Sequence, residues 1–450
     1  MFFQGNGVRS AFVHRAGLGA VVTGLAFIPE SAWAADGADT GTTAWMITAS
    51  ALVLFMTLPG LALFYGGLVR ARGVLSVLMH CFAIACLASV LWILVGYTLA
   101  FGSVGAGLIG GFDRLFLAGI DVATLKSGLP EIVFMLYQMT FAVITPALIV
   151  GAFVERIRFS TMLAFSAAWL LLVYAPAVHW IWGGGFMSDG GWAAQMLGVA
   201  VKDFAGGIVV HTTAGISALM AAILVGRRRG FPAHVELPHS PGMTMTGAGM
   251  LWVGWFGFNG GSALAADGSA GMAIVVTHLS AATAALTWMA IEWRRYGKPT
   301  SVGIVTGAVA GLATVTPAAG YIGPLGGLVC GLAGGAVCFY MVALIKHRFK
   351  VDDSLDVFAV HGVGGMLGSL LISVLALEQL GGRGLGEGVS VLTQFDAQLF
   401  GVVFTLIWSG VASWALLWGL GTVMGLRVEP ETETEGLDLA IHGERAYEFN

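Results

Sequence analysis

Apolar runs of around 20 residues recur along this chain, separated by short polar links. That spacing matches the thickness of a hydrocarbon core rather than the face of a soluble helix or strand. Eleven such runs lie near 43–66, 75–101, 130–153, 160–182, 203–226, 243–263, 269–293, 302–319, 322–345, 356–378 and 396–425. They predict an all-α polytopic membrane protein, because only helices and closed barrels satisfy the backbone in lipid. The start of the chain breaks the pattern. Arg9, His14 and Arg15 precede a shorter apolar stretch, Leu18 to Ile28, then Pro29 and Ala32-Trp33-Ala34. This order is that of a secretory signal peptide cut before Ala35. The expected organisation is therefore a signal peptide over 1–34, a transmembrane domain over 35–425 and a cytoplasmic tail over 426–450.

Charge in the links sets an expected orientation. Alternate links hold Arg70/Arg72, Arg156/Arg158, Arg227/Arg228/Arg229, Arg294/Arg295/Lys298 and Lys346/Arg348/Lys350, to which the tail adds Arg427 and Arg445. The other side of the mature chain carries only Arg114, Lys126, Lys202 and Arg383. The basic links and the C-terminus are thus expected in the cytoplasm, with the mature N-terminus outside. Spans 1–5 and 6–10 are joined by the polar link GRRRGFPAHVELPHSPG (226–242). Five is odd, so the second set runs inverted relative to the first, and one helix is left over. Inverted repeats commonly place a transport site between them.

Composition narrows the class. Hydrophobic residues make up 57% of the chain and charged ones 10%, against about 25% charged in soluble domains. Glycines at four-residue spacing, such as Gly307/Gly311 and Gly327/Gly331, suit close helix packing. Cys81, Cys86, Cys330 and Cys338 all fall in apolar runs without a CxxC pattern, so no metal site or disulfide framework is expected. No nucleophile–base set or nucleotide loop is visible, and neither an enzyme, a cofactor nor a nucleic-acid partner is expected.

Two histidines stand out against this background. His211 in DFAGGIVVHTTAG and His361 in DVFAVHGVGG occupy corresponding places in the last span of each half. Counted from Asp203 and Asp356, they lie roughly 12 Å and 7–8 Å into the core from opposite sides. A titratable ring is costly in lipid, so the pair points to a proton-handling path. His80, His179 and His278 are expected to hydrogen-bond to a neighbouring helix. Asp203 suits a helix cap and equally an outer mouth attractive to cations; Asp356 is expected to cap. By composition alone Trp180 and Trp182 are interfacial belt residues, Phe141 and Phe258 packing residues, and Ser262 a generic small polar one.

The segments PGLALFYGGLVR (59–70), YQMTFAVITPALIVGAFVERIRFS (137–160), HWIWGGG (179–185), DFAGGIVVH (203–211), GWFGFNGGSA (254–263) and DDSLDVFAVHGVGG (352–365) resemble the ammonium transporter family, Amt/Mep/Rh, most closely its bacterial Amt branch. The resemblance runs from about residue 43 to the C-terminus. It implies eleven helices in two inverted five-helix halves and a homotrimer with one pore per subunit. It further implies that Trp182, Phe141 and Ser262 recruit ammonium (or methylammonium) with Asp203 in support, and that Phe141 and Phe258 form a gate. His211 and His361 would line the pore as a relay, and the tail would receive a PII-type signal protein. The stretch from Trp182 to Asp203 is longer than the family's compact loop. Two further functions fit the same residues: an ammonium sensor or scaffold signalling through the tail, and an electroneutral gas channel.

Overall fold

The computed structural model describes residues 37–233 and 237–448; the signal peptide expected over 1–34 lies outside them. The described chain is built of helices, and nine are long and apolar enough to cross a membrane. These are α1 (Thr40–Leu68), α2 (Val74–Phe101), α3 (Glu131–Phe153), α4 (Phe159–Ile181), α5 (Gly207–Val225), α7 (Gly268–Tyr296), α9 (Pro324–Arg348), α10 (Phe358–Leu375) and α11 (Val391–Met424). Between them sit a glycine-rich α6 (Pro241–Gly261) and a shorter α8 (Ser301–Val315). A small hairpin pairs Leu125–Lys126 with Leu129–Pro130 just before α3.

Five helix starts coincide with side chains that accept the first free amides. Asp39 caps α1, Ser240 caps α6, Asp267 caps α7, Thr300 caps α8 and Ser390 caps α11. At α10 the expectation is corrected. The amide of Phe358 donates to Asp353 at 2.7 Å, while Asp356 is ion-paired with Lys346 at 2.7 Å. Burial, with help from the nearby Asp356 charge, pushes the Asp353 carboxyl up to about 6.

The links that carry the arginines meet at one end of the bundle. Fully buried Arg156 donates to Gly226 O, Ala152 O, Asp352 O and Ser354 Oγ, and Arg228 forks onto Asp352. Although burial alone would raise the Asp352 carboxyl, the Arg228 hydrogen bond and charge hold it below its usual range. The tail docks on the same end through two short helices, Pro430–Glu435 and Leu437–His442. Glu433 pairs with Arg427 at 2.6 Å, and Asp438 accepts the amides of Leu75 and Ser76 at the start of α2.

Helices α5 and α10 cross closely enough to touch through glycine. A Cβ on Gly215 would lie 2.2 Å from the Cα of Gly362, and one on Gly365 only 2.7 Å from the Cβ of His211. Each of the two helices also opens with a wide π turn, Gly207–Thr212 and Phe358–Gly362. Each π turn contains one of the two histidines. Single π turns inside helices recur at functional sites because they re-aim a side chain.

Candidate functional site

Sequence places His211 and His361 in different halves 150 residues apart; the α5–α10 crossing brings their rings to a 5.2 Å centroid separation, nearly parallel. Their Nδ1 atoms are 3.2 Å apart, so one hydrogen lies between them. Both rings are buried, and His211 Nε2 has no partner among the described residues. Trp255 stacks on His211 at 5.5 Å and ties its own Nε1 to Thr316 Oγ1.

From this pair a file of rings leads to Phe141 and the first half of α3. Phe258 lies 6.1 Å from His211, Phe141 stacks on Phe258 at 4.2 Å, and Trp182 meets Phe141 edge-on at 5.9 Å. Beyond Phe141 the file opens into a cavity of about 240 Å³ lined by Phe141, Trp182, Asp203, Ser262, Tyr137 and Gln138. The space beside the histidines is far smaller, about 10 Å³, which is room for roughly one water-sized molecule. Apart from the two imidazoles its walls are apolar: Leu61, Ile144, Val210 and Leu251 among them. On the other side, His361 borders a second cavity of about 170 Å³ shared with Tyr65, Lys346 and Asp356.

Asp203 lines the 240 Å³ cavity, but its oxygens point into the protein. Its carboxylate accepts four backbone amides, from Gly206, Gly207, Ile208 and Val209, at 2.7–2.9 Å. Gly206, at φ 112°, supplies the left-handed turn that aims those amides at one group. The first turn of α5 is therefore spent folding over the carboxylate, and the regular span begins four residues later than the apolar run suggests. Asp203 also fixes Trp182, whose indole Nε1 donates to its carbonyl oxygen at 2.7 Å. Of the two roles open for Asp203, the geometry has it capping and bracing.

Ser262 donates to Phe258 O at 2.8 Å and lies 3.2 Å from the Tyr137 hydroxyl. Tyr137 and Gln138 were not singled out by sequence, although they sit four and three residues before Phe141 and so share its helix face. Gln138 Oε1 is buried at the cavity wall without a partner among the described residues. Of the histidines given no role, His179 bonds Ala100 O as expected. His80 instead leaves both ring nitrogens unpartnered among the described residues and stacks on Phe159. Trp180 is a buried packing residue, not a belt residue. The long stretch before Asp203 folds as a short helix, Trp192–Leu197, with Trp192 stacked on Phe186.

Residues 44–447 match the family model described as Ammonium Transporter Family. The chain belongs to the ammonium transporter family. Within that family it is 44% identical to a protein named "Ammonium transporter" of Aquifex aeolicus, over 91% of this chain and 94% of that one. Among solved structures it is similar to one described as "Sensor Amt Protein", with a TM-score of 0.81, 28% identity, and coverage of 89% of this chain and 98% of that chain. Mep2 of Saccharomyces cerevisiae is similar at a TM-score of 0.78 and 33% identity, over 88% of this chain and 90% of that chain.

Proposed function

We propose that the chain is an ammonium transporter. In this reading Trp182, Phe141 and Ser262, braced by Asp203, recruit the ammonium ion. It is deprotonated near the Phe141/Phe258 gate, and neutral ammonia passes His211 and His361. The observation that carries the proposal is the imidazole pair at 3.2 Å in a passage otherwise lined by apolar side chains.

The physics favours a neutral cargo. Moving a bare cation into such a passage costs on the order of 20 kcal/mol in the idealised limit. Ammonium can shed a proton: with a pKa near that of a Lys amine, this costs roughly 4 kcal/mol at pH 7. Potassium, of similar size, cannot. An ion at the mouth is held by the faces of Trp182 and Phe141, with oxygens of Ser262 and Gln138 to accept N–H bonds. The released proton is relayed along the histidine pair, whose shared hydrogen supports transfer between rings.

The same reading places eleven spans in two inverted five-helix halves plus α11, in a bacterial inner membrane. The N-terminus is outside after cleavage of residues 1–34, the tail 426–450 is inside, and three subunits assemble. The deciding experiment is current recording from reconstituted protein on ammonium and potassium jumps. With His211→Asp, a fixed negative charge offsets ion desolvation and potassium current rises at least tenfold over wild type. Potassium currents identical to wild type would count against neutral passage.

A second reading, an ammonium sensor signalling to a PII-type protein, is favoured by the tail's docking: Glu433 accepts from the Arg229 amide of the link after α5 and, through its carbonyl, from Arg70 of the link before α2, and Asp438 accepts the amides of Leu75 and Ser76. Deleting residues 426–450 separates the two. A transporter keeps measurable uptake while losing partner binding; a sensor in which transport is secondary loses its downstream response.

A further inference from the structure

The hairpin at 125–130 puts a lysine where a cation binder would be expected to avoid one. Lys126 Nζ lies 4.7 Å from the centroid of Phe134, 4.8 Å from that of Phe101 and 5.8 Å from that of Tyr97. Phe101 and Phe134 pack edge-to-face at 5.0 Å, and both line the outer cavity with Trp182 and Phe141. The tethered ammonium of Lys126 thus occupies aromatic faces belonging to the wall of the site proposed to recruit free ammonium. Across the same cavity Lys202 Nζ lies 5.5 Å over Tyr321, another wall residue.

Neither placement is accidental to the backbone. Ser127 and Gly128, at φ 54° and 82°, make the tight reversal that returns Lys126 over α2 and α3. The backbone of Lys202 is clamped on both sides by Gln398, which accepts its amide at 2.7 Å and donates to its carbonyl at 2.7 Å. The acid in α3 nearest this corner, Glu131, is engaged by Tyr97 at 2.8 Å and Arg114 at 3.6 Å.

We propose that Lys126, caged on Tyr97, Phe101 and Phe134, is a specificity-setting residue of the outer vestibule. Its fixed charge lowers cation occupancy there and, by filling the shallow aromatic faces, confines free ammonium to the deeper Trp182–Phe141 site. The inference rests on the ammonium transport reading above. At an effective dielectric between about 20 and 80, a unit charge held in the wall of the same cavity as a bound cation lowers its occupancy several-fold. The effect fades with salt, because the screening length falls from about 30 Å at 0.01 M to a few ångströms near 0.5 M.

The test measures ammonium uptake into proteoliposomes across concentration, in roughly 10 mM and roughly 0.5 M sodium chloride. Lys126→Met keeps the apolar stem and loses the charge; Lys126→Arg keeps the charge and the ring contacts. The Met variant is expected to reach half-saturation at several-fold lower ammonium in low salt, a gap that closes in high salt, with Arg behaving as wild type. A Met variant with unchanged half-saturation, or with a shift equal at both salt concentrations, overturns the proposal and leaves Lys126 a packing residue. Should Met fold poorly, Lys126→Gln is read by the same criterion. Wild-type vesicles that take up no ammonium overturn the transport reading itself, an outcome distinct from either.

Discussion

A carboxylate holding four amides behaves unlike one facing water, and Asp203 is of the first kind. In Asp203→Asn one acceptor oxygen remains and an NH2 group faces two backbone donors that cannot accept from it. Leaving buried donors unpaired costs about 1–3 kcal/mol. The expected outcome is a lower unfolding temperature in detergent, while the Trp182 tie, made to the backbone carbonyl of residue 203, is kept. An unchanged melting profile would remove Asp203 from the brace. At this scale the sequence was informative where chemistry is rare. His211 and His361 announced themselves because imidazoles seldom appear in apolar runs. Tyr137 and Gln138 did not, since a tyrosine and a glutamine near a helix start have many ordinary uses. Only the cavity tells them apart.

The helix is the scale at which the histidine pair is assembled. Apolar length marked every long helix to within a few residues, because the burial of backbone amides leaves lipid-spanning segments little choice. Caps were harder to assign. Asp203 and Asp356 look equivalent in sequence, yet one folds a helix start over itself and the other is drawn to Lys346, leaving Asp353 to cap. That difference comes from partners many residues away. Neither π turn has a residue signature, so the widening that aims both imidazoles into one passage could not be read in advance. The α5–α10 crossing depends on hydrogen atoms where other residues carry a Cβ. Gly215→Leu should push the helices apart by about an ångström or more and separate the rings, at a cost of about 1–3 kcal/mol or more of overpacking. The check is monodispersity in detergent followed by ammonium uptake; a well-folded Leu variant with wild-type uptake would show that the crossing need not be so close.

At the scale of the whole molecule, the loop arginines that suggested a cytoplasmic side come together with the tail into one polar plate. Arg156, Arg228, Asp352 and Glu433 join links drawn from the whole length of the chain. Charge counting anticipated that these links share a side, but not that they bond to one another, because the pairing is long-range. The opposite end has a different character. There Asp203 is consumed by its own helix, Glu131 is engaged by Tyr97 and Arg114, and two lysines lie on rings. Among the described residues lining the cavity beside Trp182, what is left besides Asp203 is aromatic and apolar surface with the neutral oxygens of Ser262, Gln138, Tyr137 and Tyr321. Calcium requires six to eight oxygen ligands, several of them usually carboxylates, and among the described residues no group of three or more His, Cys, Asp or Glu is placed to hold a metal ion. Millimolar calcium should therefore leave ammonium uptake unchanged, and competition assays with and without the divalent ion check it. On the transport reading, a cavity whose one lining carboxylate among the described residues is already held by four amides would let a monovalent nutrient be taken up in hard water without being blocked by the ions that make the water hard.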